Sequence, residues 1–277
     1  MNHQPADSTP ADECPSFSRR ALFAAAGLGV LSACGSGRGS RPGATSASGS
    51  TPPKSQPSAP VSREQIIARY GGAKPTRWGM DFPGIATRLA TSEKVVALTF
   101  DACGGPHGSG YNGALIELLR RRRVPATLFI NGRWISANPD IFHQLAADPL
   151  FQIENHGTRH CPLSVSGQSA YGIAGTRDAG EVFDEVAINH ARLTQLLGAP
   201  PRFFRAGTGH CDDVAVRIVA ELGERVVNFD VNGDAGATFN PAQVEQAVVK
   251  TRPGSIVIGH MNRPASGTAQ GMAAAIG

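Results

Sequence analysis

Residues 95–105 read Val95-Val96-Ala97-Leu98-Thr99-Phe100-Asp101-Ala102-Cys103-Gly104-Gly105. The run VVALTF (95–100) is apolar and β-branched, closes on an acid, and is punctuated by glycine, which is the pattern of a strand. Further runs of the same kind follow it: ATLFI (126–130), FQIENH (151–156), RFFRA (202–206), RVVNFD (225–230) and SIVIGH (255–260). Between them lie NGALIELLRRR, NPDIFHQLAAD, AGEVFDEVAINHARLTQLLG, VAVRIVAELG and NPAQVEQAVV, each with apolar residues at i, i+3 and i+4. Asn138-Pro139 and Asn240-Pro241 place an N-cap residue before a first-turn proline. Strand–helix alternation predicts an α/β fold with a parallel sheet, open or closed into a barrel. Right-handed crossovers then bring the carboxyl ends of the strands to one rim.

That rim collects the chemistry. Asp101 follows the first strand, His156 ends the third, Arg205 the fourth, Asp230 and Asp234 attend the fifth, and His260 ends the sixth. Polar residues at the carboxyl ends of barrel strands point to catalysis. The sharpest local pattern is Glu154-Asn155-His156-Gly157-Thr158-Arg159-His160. Two histidines at i and i+4 can face one metal if the segment turns helically, and no Glu follows His156 as in the HExxH zinc-protease helix. With Asp101 on a neighbouring strand, a site of two histidines and one carboxylate with open positions is expected.

The ordered set TFDACGG (99–105), NHGTRH (155–160), FFRAGTG (203–209), VNGDAG (231–236) and IVIGH (256–260) resembles the polysaccharide deacetylase family, also called the NodB-homology domain, over roughly residues 92–264. The resemblance implies a distorted (β/α) barrel that removes N- or O-acetyl groups from polymers with one divalent metal ion, zinc in first place. It implies Asp101 as general base, His156 and His160 as metal ligands, and Arg205 as the arginine that holds the base. Asp234 then orients His260, the general acid. Amide hydrolysis needs such a set: an activated water, a base for its proton, donors for the oxyanion near Gly207–Thr208, and an acid for the departing amine.

The chain departs from the family pattern in three places. Ala102 stands where a second, metal-binding aspartate is usual. Three outcomes are open: Asp101 binds the metal directly, a side chain such as His107 or His210 substitutes, or the site is metal-free and inactive. Gly207 and Thr208 replace the common proline and aromatic, and Ala235 follows Asp234 where a sugar-stacking tryptophan is common. The resemblance also leads to the expectation of a further helix–strand unit beyond MNRPASGTAQGMAAAIG, so that the barrel is incomplete at its C-terminal side.

The first residues read as an address. Arg19-Arg20 precede a thirteen-residue apolar stretch, Ala21 to Ala33. As a helix it spans about 20 Å, too short for a hydrocarbon core of about 30 Å, which is signal-peptide length. SRRALF resembles a twin-arginine motif and Leu31-Ser32-Ala33-Cys34 a lipobox, so residues 1–33 are expected to be a signal and Cys34 a lipid-bearing anchor on the outer face of a bacterial membrane. Residues 35–60 hold 17 Gly, Ser and Pro in 26 positions and no large apolar residue, which predicts a flexible tether across 34–60. The catalytic domain is then 61–277.

Cysteine usage leaves Cys103, Cys161 and Cys211 in that domain, each near Asp101, His160 or His210. In an exported protein thiols tend to pair, so one bridge, Cys161–Cys211, is an expectation; thiolate coordination of zinc is chemically open, as is burial as small core residues. The balance of 26 Lys+Arg against 22 Asp+Glu, with no basic run interleaved with aromatics, argues against nucleic acid. The expected partner is an acetylated glycan of the cell envelope, peptidoglycan or a chitin-like polymer, met by a monomer. A catalytically impaired glycan-binding lipoprotein and a small-amide deacylase are the alternatives.

Overall fold

A computed structural model describes residues 61–277. The expected signal, the tether and Cys34 lie outside the described residues. Strand β2 (Ala97–Ala102) sits near the centre of the sheet with all six residues buried. It pairs in parallel with β3 (Ala126–Ile130) on one side and β9 (Ile256–His260) on the other. The sheet continues through β4 (Phe151–Asn155), β5 (Phe203–Phe204) and β7 (Arg225–Val226), and past β9 to β8 (Val231–Asn232). The order is β7-β5-β4-β3-β2-β9-β8, every pair parallel. Seven parallel strands curl into a half-barrel of the NodB type, an α/β fold. A separate antiparallel pair joins β1 (Trp78–Gly79) to β6 (Cys211–Asp212).

The helices form where the apolar periodicity places them, and caps set their ends. In α2 (Gly113–Arg122) the Asn112 side chain accepts from the Leu115 amide, and Arg123 closes the helix in the left-handed region. In its last turn Arg120 pairs with Glu117 and Asp148. Helix α5 (Ala179–Leu197) starts on Asp178 and stops at Gly198, φ 73°. Asn240 and Gln243 form a capping box on α7 (Pro241–Val249). At α4 (Pro139–Ala146) the proline is at the first turn, but Asn138 makes no side-chain cap and donates instead to the carbonyls of Ser109 and Trp134. α6 (Asp213–Glu221) completes the expected set. The segment after His260 forms α8 (Thr268–Ile276), and two further short helices are α1 (Arg63–Tyr70) and α3 (Gly132–Ala137).

Strand alternation sorts β2 into two faces. Leu98, Phe100 and Ala102 pack into an apolar cluster with Leu115, Leu119, Leu128, Ile130 and Trp134. Thr99 and Asp101 face the other way, toward Arg205, whose guanidinium reaches both. A second cluster joins α1, α5 and α6 around Phe204 and Cys211. Among the described residues no helix is long and apolar enough to cross a membrane.

Candidate active site at the strand ends

Register builds the site. Asp101 on β2 lies directly opposite His260 on β9, and Asn155 on β4 opposite Phe204 on β5, which brings the following His156 and Arg205 to the same rim. Arg205 is wholly buried, with its charge over the Phe129 ring, 4.1 Å to the centroid. Its guanidinium donates to Asp101 Oδ1 at 2.7 Å, to Thr99 Oγ1 at 2.9 Å, and to the carbonyls of Val227 and Asn228. Such a charged group is stable in the interior only because each donor has a partner. Burial opposes ionisation of Asp101, but the charges of Arg205, His156 and His260 outweigh it and hold the carboxyl below its ordinary value. Asp101 Oδ2 lies 3.5 Å from His156 Nε2.

The two histidines are placed by a turn. His156 and His160 rings lie 4.9 Å apart, nearly perpendicular. Between them the chain reverses through Gly157 at φ 76°, and His160 itself sits at φ 66°. The turn is organised by Glu185 on α5, whose buried carboxylate accepts from the amides of Thr158, Arg159, His160 and Cys161. Gly157 is required: a Cβ there would meet Glu185 Oε1 at 2.5 Å. Asn131 ties the same turn down by donating to the carbonyls of His156 and Gly157. His156 Nδ1 lies 2.8 Å from the Arg205 carbonyl, which can only accept, so Nδ1 carries a proton and Nε2 is the nitrogen turned toward Asp101 and Cys103.

Cys103 completes the cluster. Among the described residues, the three metal-capable side chains whose donor atoms all lie within 4.8 Å of one another are Cys103, His156 and His160; Asp101 stands beside this group. The donor set suits a divalent metal, with two imidazoles and a thiol, His156 buried and the other two half-buried. Burial would raise the Cys103 thiol, but His160, His156 and His260 outweigh it and hold it well below the usual thiol value. Neither His107 nor His210 belongs to the group. His107 is exposed at a loop tip, and the His210 ring packs against Trp78 at 5.6 Å and Tyr171 at 5.2 Å.

Across from this cluster, His260 Nδ1 meets Asp234 Oδ1 at 2.8 Å, while Asp234 Oδ2 accepts from the His260 amide and the Thr268 hydroxyl. Burial works against a charged His260, but the Asp234 hydrogen bond and Cys103 outweigh it and lift its pKa well above ordinary imidazole. Asp234 is held low by His260 against the cost of its burial.

Two expectations need correction. Asp230 is not at this rim: it accepts from the Ile256 amide and pairs with Arg88 and Ser255, at the opposite end of β9 from His260. Its position at the end of a strand-like run suggested otherwise, but β7 is only two residues long, and Asp230 precedes β8 instead of ending a strand. The expected Cys161–Cys211 bridge is absent, since Cys103, Cys161 and Cys211 are all free thiols. Cys211 lies on β6 inside the second apolar cluster, where burial raises its pKa, whereas Cys161 sits half-buried in the loop after His160.

Comparison with known proteins identifies the family. The sequence profile described as "Polysaccharide deacetylase" matches residues 88–227, half of the chain. A chitooligosaccharide deacetylase of Sinorhizobium fredii is 27% identical over 186 residues, covering 67% of this chain and 80% of the relative. A peptidoglycan-N-acetylglucosamine deacetylase of Bacillus cereus is 26% identical over 179 residues, 64% of this chain and 76% of the relative. Among solved structures, a mutant of a CE4 family pseudoenzyme from Bacillus anthracis, with restored enzymatic activity, superposes with a TM-score of 0.58 at 25% identity. That match covers 70% of this chain, which spans 65% of the other. Fold, motif order and profile agree: the chain belongs to the polysaccharide deacetylase family.

Proposed function

We propose that this protein is a metal-dependent hydrolase that removes acetyl groups from N-acetylated glycans of the cell envelope. The observation that carries the reading is the meeting of Asp101, fixed by Arg205, with His156 at one rim, opposite a His260–Asp234 pair. His156 and His160 would hold the metal. When bound there, a divalent cation supplies Lewis acidity toward the acetyl carbonyl and makes its water easier to deprotonate. Asp101, kept ionised by Arg205, takes the proton of the attacking water. The amides at Gly207–Thr208, where Gly207 packs against the backbone of His160, are the donors for the developing oxyanion. His260, its ring oriented and its charged form favoured by Asp234, gives a proton to the leaving amine. With Ala235 in place of a stacking ring, an exposed aromatic surface among the described residues is Tyr171, 76% exposed, edge-on to His210 beside Trp78. We assign it the role of a platform for a neighbouring sugar. The relatives named for chitooligosaccharide and peptidoglycan deacetylation support a polymeric substrate. The signal-like residues 1–33 and Cys34 support export and lipid anchoring outside the cell.

A second reading rests on Ala102, which leaves the usual carboxylate position apolar: a glycan-binding lipoprotein without turnover. The test is to supply the purified chain with zinc, cobalt or manganese and offer chitooligosaccharides, peptidoglycan fragments and a small acetamide. Acetate and an equal amount of free amine are expected from the glycans. Release from the small amide alone would reassign the substrate, and no release with any metal would favour the second reading.

A further inference from the structure

Ala102 belongs to the helix-facing side of β2, fully buried among Phe100, Leu115 and Ile130. The alanine methyl at 102 offers the site no ligand atom. The next position of the opposite face, after Thr99 and Asp101, is 103. There the chain leaves the strand through Gly104 at φ 69°, packed so closely on α3 that a Cβ would meet the Trp134 amide nitrogen at 2.5 Å. The loop is closed by Gly104 N–H donating to the Gly108 carbonyl and by Asn262 donating to the same oxygen. This holds Cys103 Sγ 3.9 Å from His156 Nε2, the ring nitrogen that the Arg205 carbonyl does not engage. A tetrahedral zinc with ordinary Zn–S and Zn–N bonds separates sulfur and nitrogen by about 3.6 Å. The observed separation needs to contract by only a few tenths of an ångström.

Resting on the metal-dependent reading above, we propose that Cys103 is the third protein ligand of the metal, replacing the carboxylate that position 102 does not offer. The set becomes two imidazoles and one thiolate, with a fourth position open. Asp101 keeps its pairing with Arg205 and is left to act as base. On coordination the thiol proton passes to solvent, and the sulfur biases the site toward zinc and cobalt over magnesium and manganese.

The test uses the full chain loaded with cobalt. A thiolate-to-cobalt charge-transfer band in the near ultraviolet is expected, with one metal per chain by elemental analysis. Mass mapping after alkylation should find Cys103 modified in chelated protein and protected in loaded protein. Cys103→Ala should lose the band and weaken metal binding by about 100-fold or more; Cys103→Asp should retain metal without the band. Metal bound in wild type without the band, with Cys103 alkylated equally in both states, would overturn the proposal and leave the metal-dependent reading standing. No metal bound by wild type or by Cys103→Asp would instead defeat that reading.

Discussion

Asp101 owes its ionised form to one neighbour above all, the Arg205 guanidinium at 2.7 Å, and its usefulness as a base to that form. Asp101→Asn preserves the shape and most of the hydrogen bonding but cannot accept a proton. We expect turnover to fall by about 10²–10⁴-fold while metal content stays at one per chain, read by acetate release and elemental analysis on the same sample. Equal turnover would remove Asp101 from the base role. If Tyr171 is the sugar platform, Tyr171→Ala should raise KM for a chitooligosaccharide by about 3–10-fold and leave kcat nearly unchanged. A loss confined to kcat would show that the ring does not contact a sugar. These residues differ in how openly the sequence announced them. Asp101, His156, Arg205, Asp234 and His260 each stand at or near a strand end and fall in order along the chain. Cys103 was visible only as a thiol near an acid, because the register that puts 103 and not 102 on the Asp101 face depends on where β2 begins.

At the scale of elements, the turn between β4 and α5 is a device for aiming His160. Four consecutive amides converge on the Glu185 carboxylate, and an isosteric amide cannot replace it, since its NH2 would face donors. Glu185→Gln should lower metal affinity by about 10–100-fold in competition with a chelator, although residue 185 is not a member of the metal-capable group. Unchanged affinity would mean the turn is held by Asn131 alone. Nothing in the sequence marks Glu185: it is one acid of several on α5, and its burial follows from how that helix lies against β4. The helices and strands were far more legible, because apolar period and caps are local properties. β5 and β7 shrank to two residues each, since their pairing depends on the curl of the sheet and not on local sequence.

For the whole molecule, the curled sheet creates a polar seam under the site that couples its stability to pH. Glu224 accepts from Asn155 on β4 and meets His190 Nδ1 on α5 at 2.8 Å, and burial pushes its pKa up to about 7. Its folded value lies above that of an unfolded glutamate, so its contribution to stability is full below about pH 4.3 and is lost as pH rises through 7. Glu224→Gln should flatten this part of the stability profile; the wild type should lose about 3 kcal/mol relative to the variant between pH 4 and 8, read by denaturant melts across that range. Parallel profiles would show that Glu224 ionises in the fold without cost. Half-barrel architecture could be read from strand–helix alternation together with motif order, but this seam could not, since it joins β4, α5 and the segment before β7.

The most direct test of the central claim, that these rim residues hydrolyse acetylated glycans with a bound cation, is acetate release from chitooligosaccharides by the purified full chain. It should be followed through chelation and metal return. We predict release by the loaded protein, its loss on chelation, and its recovery with one equivalent of zinc. Release that persists unchanged in thoroughly chelated protein would contradict the account.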